Sequence, residues 1–131
     1  MRVDNEYLEK HVKQKDSGPH IVYAGAEDDM YRQHLMPVME QVIETTGGKM
    51  TLVEIDSYDE DVREFCSVNQ VLQIPTIFFF RGGDLKTTVA GFVPIDILTK
   101  VAKDACEPTT AEKMASMIRE AKERVDGQDQ V

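Results

Sequence analysis

The sequence predicts an α/β fold: a central mixed sheet of about four strands flanked by helices, with an extra helix at the C-terminal end. Three observations carry this. Short apolar runs alternate with amphipathic segments along most of the chain. Thr76 to Phe80 is an unbroken β-branched and aromatic run, too short for a helix, which reads as a strand buried on both faces. Arg81-Gly82-Gly83-Asp84 is turn chemistry, and Leu85 to Ala90 then reads as a more polar strand nearer an edge.

In chain order, Asn5 to Lys15 reads as a short helix capped by Asp4, with Tyr7, Leu8 and Val12 on one face. His20 to Gly25 is an apolar strand of the buried kind. Glu27-Asp28-Asp29 places acids where a helix amino end has bare N–H groups, and the helix runs to about Thr46. Tyr31, Leu35, Val38, Met39, Val42 and Ile43 form its apolar stripe, and Pro37 within it should kink it. Gly47-Gly48 ends the helix and Met50 to Ile55 is the next strand. A helix over Val62 to Val71 follows, with Phe65, Val68 and Leu72 marking its inner side. Pro94 opens a helix whose face is Ile97, Leu98, Val101 and Ala105. Strand–helix alternation argues a parallel core, to which the hairpin adds an antiparallel strand.

Beyond Glu107-Pro108 a last helix, Ala111 to about Val125, carries a modest apolar face of Met114, Ile118, Ala121 and Val125. That face is expected to pack on the body of the domain, with a homodimer or complex-subunit contact as the alternative. The expected organisation is a domain over residues 1–106 and a helical extension and tail over 107–131.

The 131 residues suffice for a core without disulfides or metal, and the formal charge of −9 repels phosphate backbones, which argues against a nucleic-acid partner. No apolar stretch approaches the roughly 20 residues of a membrane helix. The amino end is too polar for a signal peptide, so a cytoplasmic location is expected. The two cysteines, Cys66 and Cys106, match no disulfide or zinc framework. The adjacent acids Glu27, Asp28 and Asp29 point in different directions, and His11, His20 and His34 lack ligand spacing, so no metal or other cofactor is expected.

The strand ending at Ala24, the helix with its internal Pro37, Ile74-Pro75-Thr76, Phe78 to Phe80, Gly83 and Gly91 together resemble the thioredoxin-like family over roughly residues 5 to 106. The resemblance implies a thioredoxin fold with a cis bond before Pro75, facing the loop that in thioredoxins holds Cys-x-x-Cys. Here Asp29 and Arg32 stand at the two cysteine positions, and Tyr23 stands at that of the family's buried acid. Dithiol exchange needs an attacking thiolate and a resolving thiol, and a carboxylate with a guanidinium supplies neither. Asp29 and Arg32 also have a plain reading, as helix cap and i, i+3 ion pair.

The expected function is therefore a redox-inactive, peptide-binding adapter or chaperone-like module. Its groove would be formed by Met30, Tyr31, Ile74, Pro75, Gly91 and Phe92 and rimmed by Asp28, Asp29 and Arg32. A different class stays open: a thiol–disulfide oxidoreductase using Cys66 or Cys106 as a single reactive thiol. Cys66 beside Phe65 otherwise reads as a small buried hydrophobe.

Overall fold

The computed structural model describes residues 2–26, 29–108 and 110–129. A helix α1 (Asn5–Tyr7) continues as a π-helical turn over Leu8–Val12 and leads to strand β1 (His20–Gly25). Helix α2 (Met30–Thr45) and strand β2 (Thr51–Asp56) follow. A 3₁₀ turn (Glu60–Val62) opens into α3 (Arg63–Val68), and strands β3 (Thr76–Arg81) and β4 (Asp84–Ala90) form the hairpin. Helices α4 (Ile95–Cys106) and α5 (Thr110–Asp129) close the chain.

The four strands lie in the order β2-β1-β3-β4, which puts the aromatic β3 inside the sheet and polar β4 at its edge. The expected parallel core is a single parallel pair, β1 with β2, and β3 runs antiparallel to β1. The link from β2 to β3 carries only a 3₁₀ turn and the six-residue α3, with turns and coil around them, rather than the full crossover helix of a βαβ unit.

Alternation along the strands divides the core into two layers. Ile21, Tyr23, Ile77 and Phe79 face Leu35, Met39 and Val42 of α2 and Leu98 and Ala102 of α4. Val22, Val53, Phe78 and Phe80 face Leu8, Val12, Val62 and Phe65. Phe65 meets Phe78 edge-on at 5.5 Å, and burial of each such ring contributes about 1.5–3 kcal/mol.

Local chemistry accounts for the ends. Asp4 accepts the Tyr7 amide at 2.9 Å and Asp59 accepts that of Asp61 at 3.0 Å, each capping a helical start. Gly82 and Gly83 both have positive φ, as a two-residue turn between paired Arg81 and Asp84 requires. At Gly83 a Cβ would stand 2.8 Å from the Lys13 carbonyl oxygen, so the hairpin tip seats against the end of the first helical segment.

Expectations about faces change at three helices. Val68 lies on the outer side of α3, at 71% exposure, and Gln70 takes φ of 57°, which breaks the helical register before Leu72, at 90%. In α4 the buried face is Leu98, Ala102 and Ala105 at i, i+4 and i+7, and Ile97 is exposed beside it. Pro94 precedes that helix as its cap rather than sitting in its first turn, and its carbonyl accepts the amides of Ile97 and Leu98.

The last of these is α5. Its expected packing face stays outside the core, with Met114 and Ile118 exposed, and Val125 lies outside the described side chains. Its first turn is tied down through Glu112 to Arg81 and Lys86. A face this sparse in large apolar groups, four residues across more than two turns, offers the body little area.

Candidate functional site

The loop after β1 and the amino end of α2 meet the loop after β2 and the segment before β3. Asp29 caps α2 by accepting the Tyr31 amide at 2.8 Å. Its other oxygen accepts the buried Tyr23 hydroxyl at 2.6 Å. Burial first, then the hydrogen bond and charge of Asp29, push the Tyr23 hydroxyl far above its ordinary range, so it stays a neutral donor. Gly25 makes room for this pair: a Cβ there would lie 2.6 Å from the Tyr23 ring and 2.8 Å from an Asp29 oxygen.

Arg32 corrects two expectations at once. It neither pairs with Asp29 nor rims the groove. Its guanidinium grips Glu54 of β2 with two bonds, Nε to Oε1 at 2.5 Å and Nη2 to Oε2 at 3.0 Å. The reason is register: Glu54 lies beside Tyr23 in the parallel ladder, one turn of α2 away from the cap. The pair holds the Glu54 carboxyl below its usual range and raises Arg32 further. Arg32 thereby lines an adjoining polar cavity of about 230 Å³ with Arg2, Glu54 and Asp56, which shares Ala26 and Asp56 with the groove.

The other expected residues do come together. Asp29, Met30, Tyr31 and Ile74 line an open groove of about 470 Å³, joined by Asp56 and Tyr58. The Phe92 ring meets Tyr31 edge-on at 4.7 Å, and Met30 is 76% and Phe92 57% exposed. Pro75 is buried, follows a cis bond from Ile74, and its carbonyl accepts the Gly91 amide at 2.9 Å. Gly91 adopts φ of 78°, a left-handed turn at the end of β4 that leads directly into Phe92. Asp28 lies outside the described residues.

Ala26, Asp56 and Tyr58 are the groove residues that sequence reasoning missed. The available signal was topological: Gly25 and Asp56 are partners at the carboxyl ends of adjacent parallel strands, the place where open α/β sheets bind ligands.

The cysteines stay out of the groove lining. Cys66 lines an adjoining depression of about 330 Å³ with Val71, Leu72 and Gln73, which shares Tyr58 and Ile74 with the groove. Burial, with the charge of Asp56 adding, pushes its thiol up. Cys106 packs against the α2/α4 core, and burial raises it too, although Lys49 and Arg81 oppose this. Both thiols are free. Among the described residues no group of three metal-ligating side chains converges, and no helix is long and apolar enough to cross a membrane.

The thioredoxin family profile matches residues 1–104. The chain belongs to the thioredoxin family. A chloroplastic M-type thioredoxin from Zea mays is 31% identical over 65 residues, a stretch that is 50% of this chain and 38% of that protein. The match thus spans well under two thirds of that relative's length. Among solved structures, thioredoxin O2 from Arabidopsis thaliana in its oxidised state superposes with a TM-score of 0.66 at 20% identity, covering 82% of this chain and 94% of that one. A mutant thioredoxin from Halobacterium salinarum NRC-1 gives 0.67 at 22%, covering 83% and 92%. These structural likenesses carry the thioredoxin fold.

Proposed function

We propose that this thioredoxin-family chain is a recognition module that binds an extended protein segment in the groove beside Pro75, without dithiol exchange of its own. The observation that carries the reading is the state of the two positions at the start of α2. Asp29 is committed to the Tyr23 hydroxyl and the helix cap, and Arg32 is committed to Glu54. Among the described residues no thiol lines the groove that runs from Asp29 to Ile74. The exposed apolar side chains of Met30, Tyr31 and Phe92 support binding, since such a cluster gains by burial against a partner. An adapter within a larger assembly or a holder of partly unfolded clients both fit this chemistry. A reducing, cytoplasmic setting suits two unpaired thiols. The exposed Met114 and Ile118 of α5 supply a second surface for assembly.

The test combines insulin reduction with client capture. The wild-type chain should not reduce insulin. The Cys66→Ser, Cys106→Ser double variant should hold clients as the wild type does, and Tyr31→Ala with Phe92→Ala should release them. Reductase turnover that vanishes with either cysteine would sink the proposal and favour the single-thiol reading. The observation on that side is the position of Cys66 in the depression next to the groove. Its raised thiol weighs against it, because the thiolate is the nucleophile.

A further inference from the structure

The groove holds more negative charge than its apolar rim suggests. Its lining includes two carboxylates and no lysine or arginine among the described residues. The two acids differ. Asp56 is neutralised by Arg2 at 3.1 Å. Asp29 is bonded by neutral donors, the Tyr31 amide and the Tyr23 hydroxyl, and no described lysine or arginine bonds it. The Arg32 cation, three residues on, attracts this largely buried carboxylate without bonding it, and the α2 dipole adds about half an elementary charge.

Two aromatic rings share the cavity. Tyr31 and Tyr58 both line it, and the faces of such rings attract cations. Apolar surface adjoins it, through Met30 and the Phe92 ring beside Tyr31 and through Ile74 into the depression that Leu72 lines. The net charge of −9 steers cationic segments toward the molecule.

We infer that the groove selects an extended segment carrying a lysine or arginine between apolar side chains. The cation enters the cavity lined by Tyr31 and Tyr58 above Asp29, and its apolar neighbours cover Phe92 and Ile74. This rests on the peptide-binding reading above and adds to it a client chemistry.

The experiment titrates the isotope-labelled full chain, by two-dimensional NMR, with the peptide Ser-Leu-Lys-Phe-Ser and its counterparts carrying glutamate or methionine at the centre. Ser-Ser-Lys-Ser-Ser serves as the charge control. The lysine peptide should shift the amides of Tyr31, Tyr58 and Ile74 and bind at least about fivefold tighter than the glutamate peptide. The margin should shrink as salt rises. Asp29→Asn, which keeps a competent cap, and Tyr58→Ser, at an exposed side chain, should each reduce the lysine preference. Equal binding of the three apolar peptides overturns the charge preference and leaves groove binding standing. Shifts confined to other acidic surface, or equal shifts from the control peptide, overturn it as well. No shift at the groove with any peptide removes groove binding itself, and the inference with it.

Discussion

Replacing Asp29 by alanine tests whether the start of α2 is locked as described. Two losses are expected. The cap on the Tyr31 amide goes, at about 1 kcal/mol. The Tyr23 hydroxyl, in a side chain only 1% exposed, is left without its partner, at about 1–3 kcal/mol. The single variant should therefore lose about 2–4 kcal/mol of unfolding free energy in urea. Tyr23→Phe alone should lose about 1 kcal/mol, since the carboxylate keeps the amide donor. In the Tyr23→Phe background, Asp29→Ala should cost only the cap, about 1 kcal/mol, because no hydroxyl is left unpaired. The double-mutant cycle thus has a coupling energy of about 1 kcal/mol or more. Strict additivity of the two substitutions would refute the buried pair as the source of the cost.

Arg32→Gln should cost about 0.5–1 kcal/mol at neutral pH, the range of a partly exposed ion pair with good geometry. Because Arg32 holds the folded-state pKa of Glu54 down, the contribution is complete above the ordinary glutamate range and is lost as pH falls through the lowered value. Urea melts of wild type and variant should converge in acid, and a gap constant down to about pH 3 would count against the pair. Gly83→Ala should cost at least about 2 kcal/mol, from positive φ and from the Lys13 carbonyl at 2.8 Å, while Gly18→Ala, with open space around it, should cost far less in the same thermal melt. Phe65→Ala should cost about 3–5 kcal/mol and Val68→Ala under about 0.5 kcal/mol; similar values for the two would mean that α3 turns its other side inward.

Where an element is fixed by its own residues, the sequence was enough. The Thr76–Phe80 run, the two glycines of the hairpin, the Asp4 cap and the Leu35, Met39, Val42 stripe each depend on neighbours within one turn or one strand. The groove was legible through Met30, Tyr31, Ile74 and Phe92, because the thioredoxin resemblance places those segments side by side. The failures are long-range or conformational. Nothing local announces that Arg32 reaches Glu54, twenty-two residues away, since the contact exists only once β2 is in register with β1. Likewise the spacing of Phe65, Val68 and Leu72 looks helical, yet Val68 falls on the outer side of α3 and the left-handed Gln70 breaks the register before Leu72.

The interlocking of Tyr23 with Asp29 and of Arg32 with Glu54 also bears on reversibility. Placing sulfur at position 29 strands a phenol in the interior, and placing it at position 32 takes two guanidinium bonds from the Glu54 carboxylate on β2. Each step toward an electron-carrying loop is thus penalised before its companion arrives, and a return would need the supporting strand residues to change as well. The arrangement works as a ratchet.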